Sequence, residues 1–89
     1  MKTIKLTVFG RVQGVGFRYV TKAIANEMGV KGTVHNNEDG SVTTVATAPT
    51  NILDAFIEKI KNNPSPTSSV ENYSEQELPL TNFTDFQII

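Results

Sequence analysis

Arg18 stands at the end of the stretch Gly10-Arg11-Val12-Gln13-Gly14-Val15-Gly16-Phe17-Arg18, which carries three glycines, two arginines and no acidic side chain. A glycine-containing turn that runs into a helix presents successive backbone N–H groups to one point, and the helix N-terminus adds positive potential there. The chemistry open to such a stretch is holding an anion. Arg18 would fall in the first turn of the following helix, where a cation opposes the helix dipole. That cost suggests a use. A guanidinium grips two phosphate or carboxylate oxygens at once and keeps its charge near neutral pH. The spacing fits neither Walker A, which needs four residues between its glycines and then Lys-Ser/Thr, nor the Gly-x-Gly-x-x-Gly dinucleotide fingerprint. Taken alone, the same glycines could serve only to permit a tight strand-to-helix turn, with Arg18 solvated at the surface. Gln13 and Val15 are compatible with either reading.

The elements that must position these residues are read from periodicity. Ile4, Leu6 and Val8 alternate with Lys5 and Thr7, the period of a half-buried strand, which stops at Gly10 or soon after. Phe17, Val20, Ala23, Ile24 and Met28 recur at spacings of three and four and predict an amphipathic helix, with Thr21, Lys22 and Glu27 elsewhere on the wheel and Gly29 as its left-handed C-cap. Val30 to Asn36 reads as a second strand and Asn37-Glu38-Asp39-Gly40 as a hairpin turn. Ser41 to Ala48 is the third strand, with Val42, Thr44, Ala46 and Ala48 on one face. Thr50 or Asn51 is the expected N-cap of a second helix whose stripe is Ile52, Leu53, Phe56, Ile57 and Ile60. Asn62 to Ser69, with two prolines, predicts an exposed but ordered turn. Val70 to Leu78 predicts a polar edge strand ended by Pro79, and Phe83 to Ile89 a closing strand with Phe86 and Ile88 on one face.

The order is β-α-β-β-α-β with an extra edge strand. It predicts an α+β, ferredoxin-like βαββαβ sandwich, an antiparallel sheet with two helices packed on one face, and a single domain over residues 1–89. In a βαβ unit with a right-handed crossover, strands one and two run parallel and their C-terminal ends share an edge of the sheet. The glycine loop follows strand one at that edge, so the residues that end strand two, Val34-His35-Asn36-Asn37, are brought beside it. By alternation Asn36 shares the helix-covered face with Val34. His35 points the other way and reads as a half-exposed strand residue, and Asn37 is explained by the turn.

Composition excludes several classes. Eight basic residues against nine acidic ones, a net charge of −1, give no excess for duplex nucleic acid or anionic membranes, so neither is an expected partner. There is no cysteine and one histidine, which leaves a poor basis for a disulfide, a thiol nucleophile or a zinc site; no metal and no cofactor are expected. The N-terminal apolar run is too short for a signal-peptide core or a membrane span, and a cytoplasmic location is expected. Size and a polar surface favour a monomer.

Gly10 to Arg18 resembles the phosphate-binding loop of the acylphosphatase family. Gly32-Thr33-Val34-His35-Asn36-Asn37, followed by Asp39-Gly40-Ser41-Val42, resembles that family's second motif. The likeness covers almost the whole chain, including a proline after the third strand and the ending Asp85-Phe86-Gln87-Ile88. It implies an enzyme that hydrolyses the carboxyl–phosphate bond of acyl phosphates, with a small-molecule acyl phosphate as substrate and phosphate or sulfate as product or analogue. By the same resemblance Arg18 is the phosphate-binding catalytic arginine, Asn36 orients the attacking water, and Gln13, Gly14, Val15, Gly16, Phe17 and Arg18 form the phosphate-binding loop. Thr33 stands where the family usually has Trp. Alternation puts it on the side of the sheet away from the helices, where it bears on packing and not on chemistry.

Two other classes share the element order. A ferredoxin-like RNA-binding module is weakly suggested by Gly16-Phe17-Arg18-Tyr19, but its aromatic motif belongs on a central strand and this one begins a helix. An acylphosphatase-like domain that binds phosphate or carbamoyl phosphate for a larger maturation enzyme, without turnover of its own, is the closer rival. Those domains begin long chains, and a chain ending at Ile89 favours a stand-alone enzyme.

Overall fold

The computed structural model describes residues 1–62 and 64–89. The chain forms β1 (Lys2–Arg11), α1 (Phe17–Met28), β2 (Lys31–Asn36), β3 (Val42–Ala48), α2 (Thr50–Lys61), β4 (Ser69–Leu78) and β5 (Phe86–Ile88). The sheet order is β4-β1-β3-β2-β5. Because β1 and β2 each pair antiparallel with β3, they run parallel to one another and end at the same edge, as the crossover rule requires. β4 completes the βαββαβ unit beside β1, and the three-residue β5 adds the extra edge strand beside β2. The β2–β5 pair is parallel, so the ferredoxin-like sheet is mixed.

Alternation decides which side of the sheet is covered. Ile4, Leu6 and Val8 of β1, Val34 of β2, Val42 and Ala46 of β3 and Phe86 of β5 are all buried beneath the helices. α1 lies over β2 and β5, and α2 over β1 and β3. Four of the five residues of the predicted α2 stripe, Leu53, Phe56, Ile57 and Ile60, are buried, and the fifth, Ile52, is partly buried against them. Phe56 meets Phe86 edge-on, ring centroids 6.1 Å apart, so a side chain of α2 is packed against the far edge strand. Phe56→Ala is expected to cost about 3–5 kcal/mol of stability, measured by urea unfolding, because it removes a fully buried ring and leaves a cavity in its place.

Two sequence expectations shift. The buried face of α1 is Phe17, Thr21 and Ala25, with Ile24 and Met28 partly buried, while Ala23 faces solvent. Thr21 and Ala25 are small, and turning them inward lets the helix axis approach its neighbours closely; hydropathy alone placed Thr21 outside. The Thr21 hydroxyl is buried without a hydrogen-bond partner among the described residues. The N-cap of α2 is Pro49, not Thr50 or Asn51, and no side chain caps the helix. The Pro49 carbonyl accepts the first helical bond from Leu53 N–H at 2.9 Å, which the extended backbone of Pro49 permits without a polar side chain.

On the other face, threonines pair across strands: Thr3 with Thr47 at 2.6 Å and Thr7 with Thr43 at 3.0 Å between hydroxyls. The segment joining β4 to β5 lies against this face, where the Thr81 carbonyl accepts from Thr47 Oγ1 at 2.6 Å and Thr81 N–H donates to Thr3 Oγ1 at 2.9 Å. Thr33 is on this face too, opposite Val45 and half-buried. Of the predicted turn at residues 62–69, Asn63 lies outside the described residues.

Candidate active site

The cleft that matters opens where β1 and β2 end. Val8 is in register with Val42, and Val42 with Asn36, so one row across the sheet ends on Asn36 at the level where β1 runs out into the glycine loop. Gly14 and Gly16 hold φ of 72° and 77°. A β-carbon at either would meet nothing within 4 Å, so it is the left-handed backbone, not space, that asks for glycine here. Gly16 is the N-cap of α1 and has no side chain to satisfy the helix amides; its carbonyl accepts from Val20 N–H at 3.1 Å. The first-turn amides of α1 are therefore open toward the cleft, with no acidic residue in that turn.

A cleft of about 180 Å³ is lined by Gly14, Gly16, Phe17, Arg18, Tyr19 and Asn36, floored by the buried Val12. The structure thus brings Arg18 and Asn36 together although they are far apart in sequence. Among the described residues Arg18 makes no ion pair and Asn36 makes no side-chain hydrogen bond. A half-buried guanidinium beside helix amides and a free carboxamide favours an anion. A larger groove of about 280 Å³ between α2 and β4 offers no such site. Glu58 and Glu71 line it, and its one cation, Lys61, is taken by Glu75 at 2.8 Å and by the Tyr73 ring at 4.4 Å. Glu75 first among its neighbours holds the Lys61 ammonium above the ordinary lysine range.

Gln13 and Val15, both predicted in the loop, do not line the cleft with their side chains. Gln13 Nε2 donates to the carbonyls of Asn37 at 2.8 Å and Ser41 at 3.0 Å. Val15 packs against the core, and its carbonyl accepts from Ser65 Oγ at 3.0 Å and Thr67 Oγ1 at 3.1 Å. The proline-rich turn thereby braces the loop from outside. His35 is half-buried on the threonine face, opposite Thr43, away from the cleft.

Asn37 builds the turn as expected. Its N–H donates to the Ser41 carbonyl at 2.8 Å, and its Nδ2 donates to Ser41 Oγ at 2.9 Å and Thr43 Oγ1 at 2.8 Å. Asp39 accepts from Ser41 Oγ at 2.5 Å and Ser41 N–H at 2.9 Å, and these bonds, the hydroxyl's first, hold its carboxyl below the ordinary carboxylate range. A folded-state value below the unfolded one gives stability that is complete above the unfolded pKa and lost as pH falls through the folded one. Asp39→Asn should therefore lower the thermal midpoint slightly at neutral pH, and the gap from wild type should close in strong acid. A gap unchanged in acid would mean that the carboxylate's charge contributes nothing there.

With this geometry in view, the acylphosphatase family model matches residues 4–88 of the chain. The chain belongs to the acylphosphatase family. An acylphosphatase from Enterococcus faecalis is 49% identical over 90 residues, covering 100% of this chain and 99% of that relative. Another from Ligilactobacillus salivarius is 46% identical, covering 99% and 98%. The crystal structure of the acylphosphatase from Bacillus subtilis superposes with a TM-score of 0.94 at 40% identity, covering 100% of this chain and 99% of that one. Full-length HypF in its phosphate- and nucleotide-bound form contains a similar unit, with a TM-score of 0.88 and 34% identity, in which this chain covers 12% of the HypF chain.

Tyr19 is a cleft residue of this acylphosphatase that sequence reasoning left out. Its ring is 74% exposed at the mouth, beside Arg18. The signal was available: an aromatic one residue after Arg18 shares the first helical turn with it.

Proposed function

We propose that this acylphosphatase works with the phosphoryl group of its substrate held between the loop amides of Gln13 to Arg18 and the Arg18 guanidinium, and with water held by Asn36. The observation that carries the assignment is that Arg18 and Asn36 line one small cleft at a helix N-terminus, both without protein partners among the described residues. An acyl phosphate is a mixed anhydride with a good leaving group, so its hydrolysis asks for positioning and charge stabilisation more than for acid–base help. Among the described residues no carboxylate lines the cleft, consistent with that need.

Water attacks phosphorus in line with the scissile bond. The new P–O bond forms as the bond to the carboxylate oxygen breaks, and the electron pair leaves on the carboxylate. Both protons of the water finish on phosphate oxygens, giving dihydrogen phosphate from an acyl phosphate dianion. As charge shifts during this displacement, the guanidinium and the amides hold the equatorial oxygens more tightly than in the ground state. Asn36 is a neutral hydrogen-bonding group that fixes where the water stands; a substrate phosphate oxygen takes the proton. The reaction uses no metal, and inorganic phosphate, its product, competes for the same cradle. Residues 1–89 act as one domain, and the protein works as a cytoplasmic monomer; among the described residues no helix is long and apolar enough to cross a membrane.

The test is loss of benzoyl phosphate absorbance in the presence of EDTA. Rapid turnover supports the reading. The 34% identical unit in HypF favours a second one, a domain that binds phosphate or carbamoyl phosphate without turning over. A folded protein that binds inorganic phosphate but leaves benzoyl phosphate intact would establish that alternative.

A further inference from the structure

We propose that Gln13 is a positioning residue: its side chain locks the phosphate loop to the turn that directly follows Asn36, and so sets where the attacking water stands relative to the bound phosphoryl group. The inference rests on the assignment of Asn36 as the residue that holds the water. Its basis is the pair of bonds from one carboxamide, Gln13 Nε2 to the carbonyls of Asn37 at 2.8 Å and Ser41 at 3.0 Å. Asn37 is the next residue after Asn36.

Neither carbonyl needs Gln13 to be satisfied. The Asn37 carbonyl also accepts from Gly40 N–H at 3.2 Å, and the Ser41 carbonyl from Asn37 N–H at 2.8 Å. Together with the bonds from Asn37 Nδ2 to Ser41 Oγ and Thr43 Oγ1, these close the β2–β3 turn on its own. What Gln13 adds is the tie between two separately closed pieces, the loop and the turn. A carboxamide suits the place because it can donate to two carbonyl oxygens at once, whereas a carboxylate of the same length would be repelled by them.

The loop has a second anchor on its other side, from Ser65 Oγ and Thr67 Oγ1 to the Val15 carbonyl. Loss of the Gln13 side chain therefore frees the turn from the loop while the amide cradle and α1 keep their brace. Phosphate binding and water placement should separate. A purely structural role would lower stability and phosphate affinity together, without regard to Asn36.

The experiment is a double-mutant cycle on benzoyl phosphate hydrolysis, using Gln13→Met, which keeps the volume and removes the donors, with Gln13→Ala measured beside it. Inhibition by inorganic phosphate reports the cradle, and thermal melts report the fold. Either Gln13 variant should lower kcat roughly 10- to 100-fold, as expected for misplaced reacting groups, with the inhibition constant for phosphate unchanged. In an Asn36→Ala background the same substitutions should have no further effect on kcat. Losses that multiply in the double variant, with Asn36→Ala itself impaired, would overturn the coupling and leave the assignment of Asn36 standing. Weakened phosphate inhibition in the Gln13 variants would overturn it as well, by placing the side chain's role in the cradle. Wild-type kcat in Asn36→Ala alone would remove the assignment of Asn36, and this inference with it.

Discussion

Arg18→Ala should lower kcat by at least roughly 100- to 1,000-fold, the range for loss of one preorganised donor facing developing charge. The loss should exceed that range because the guanidinium contributes a full charge as well as two directed bonds. KM for benzoyl phosphate and the inhibition constant for inorganic phosphate should rise too, since the ground-state phosphate is also an anion. Arg18→Lys separates charge from geometry. An ammonium keeps the charge but has no planar fork for two oxygens, so it should recover only part of the loss. Fold stability should change little, because Arg18 makes no ion pair among the described residues. Steady-state kinetics with a thermal melt of each variant decide the matter. A folded Arg18→Ala protein with most of its activity would remove the arginine from the site.

Asn36→Ala gives the second large effect, with a different signature. In the proposed mechanism its carboxamide holds the water and not the phosphoryl group, so kcat should fall roughly 100-fold, in line with the cost of misplacing a reacting group, while inhibition by inorganic phosphate stays near wild type. Asn36 is exposed at the end of β2 and its side chain bonds to no described neighbour. Its removal leaves no buried group unpaired, and stability should hold. Asn36→Asp keeps the shape but sets a carboxylate beside the phosphoryl dianion, and should lower kcat and phosphate affinity together. A fall in phosphate affinity for the alanine variant as large as the fall in kcat would place Asn36 in the cradle with Arg18.

The two residues of the proposed site that line one cleft, Arg18 and Asn36, drew attention in the sequence for different reasons. Arg18 stood out because a cation at a helix start is costly without an anion, and Gly14 and Gly16 could be read as a turn leading into that helix from their spacing alone. Asn36 is one asparagine among several and was found by topology: parallel β1 and β2 must end at one edge, and alternation fixes its face. The bracing was not legible. Gln13 acts on two backbone carbonyls, which have no residue-type signature, and Ser65 and Thr67 reach the carbonyl of Val15 from the turn that follows α2. Bonds of this kind depend on where loops cross, and periodicity says nothing about that.

The fold shows the same division. Strong stripes, such as Leu53, Phe56, Ile57 and Ile60, fixed α2 and its buried face. In α1 the apolar residues were spread more widely, and packing turned the small Thr21 and Ala25 inward at the expense of Ala23. The last strand contracted to Phe86–Ile88, in register with Gly32 to Val34 of β2. Its parallel direction depends on the route of residues 79–85, which no local pattern records.

The most direct test of phosphoryl transfer to water in the Arg18–Asn36 cleft is hydrolysis of benzoyl phosphate in 18O-labelled water, with the products separated and weighed by mass spectrometry. Attack on phosphorus predicts the label in inorganic phosphate and none in benzoate. Label in benzoate would mean that water attacks the carbonyl carbon, and neither Arg18 nor Asn36 could then act on phosphorus as proposed.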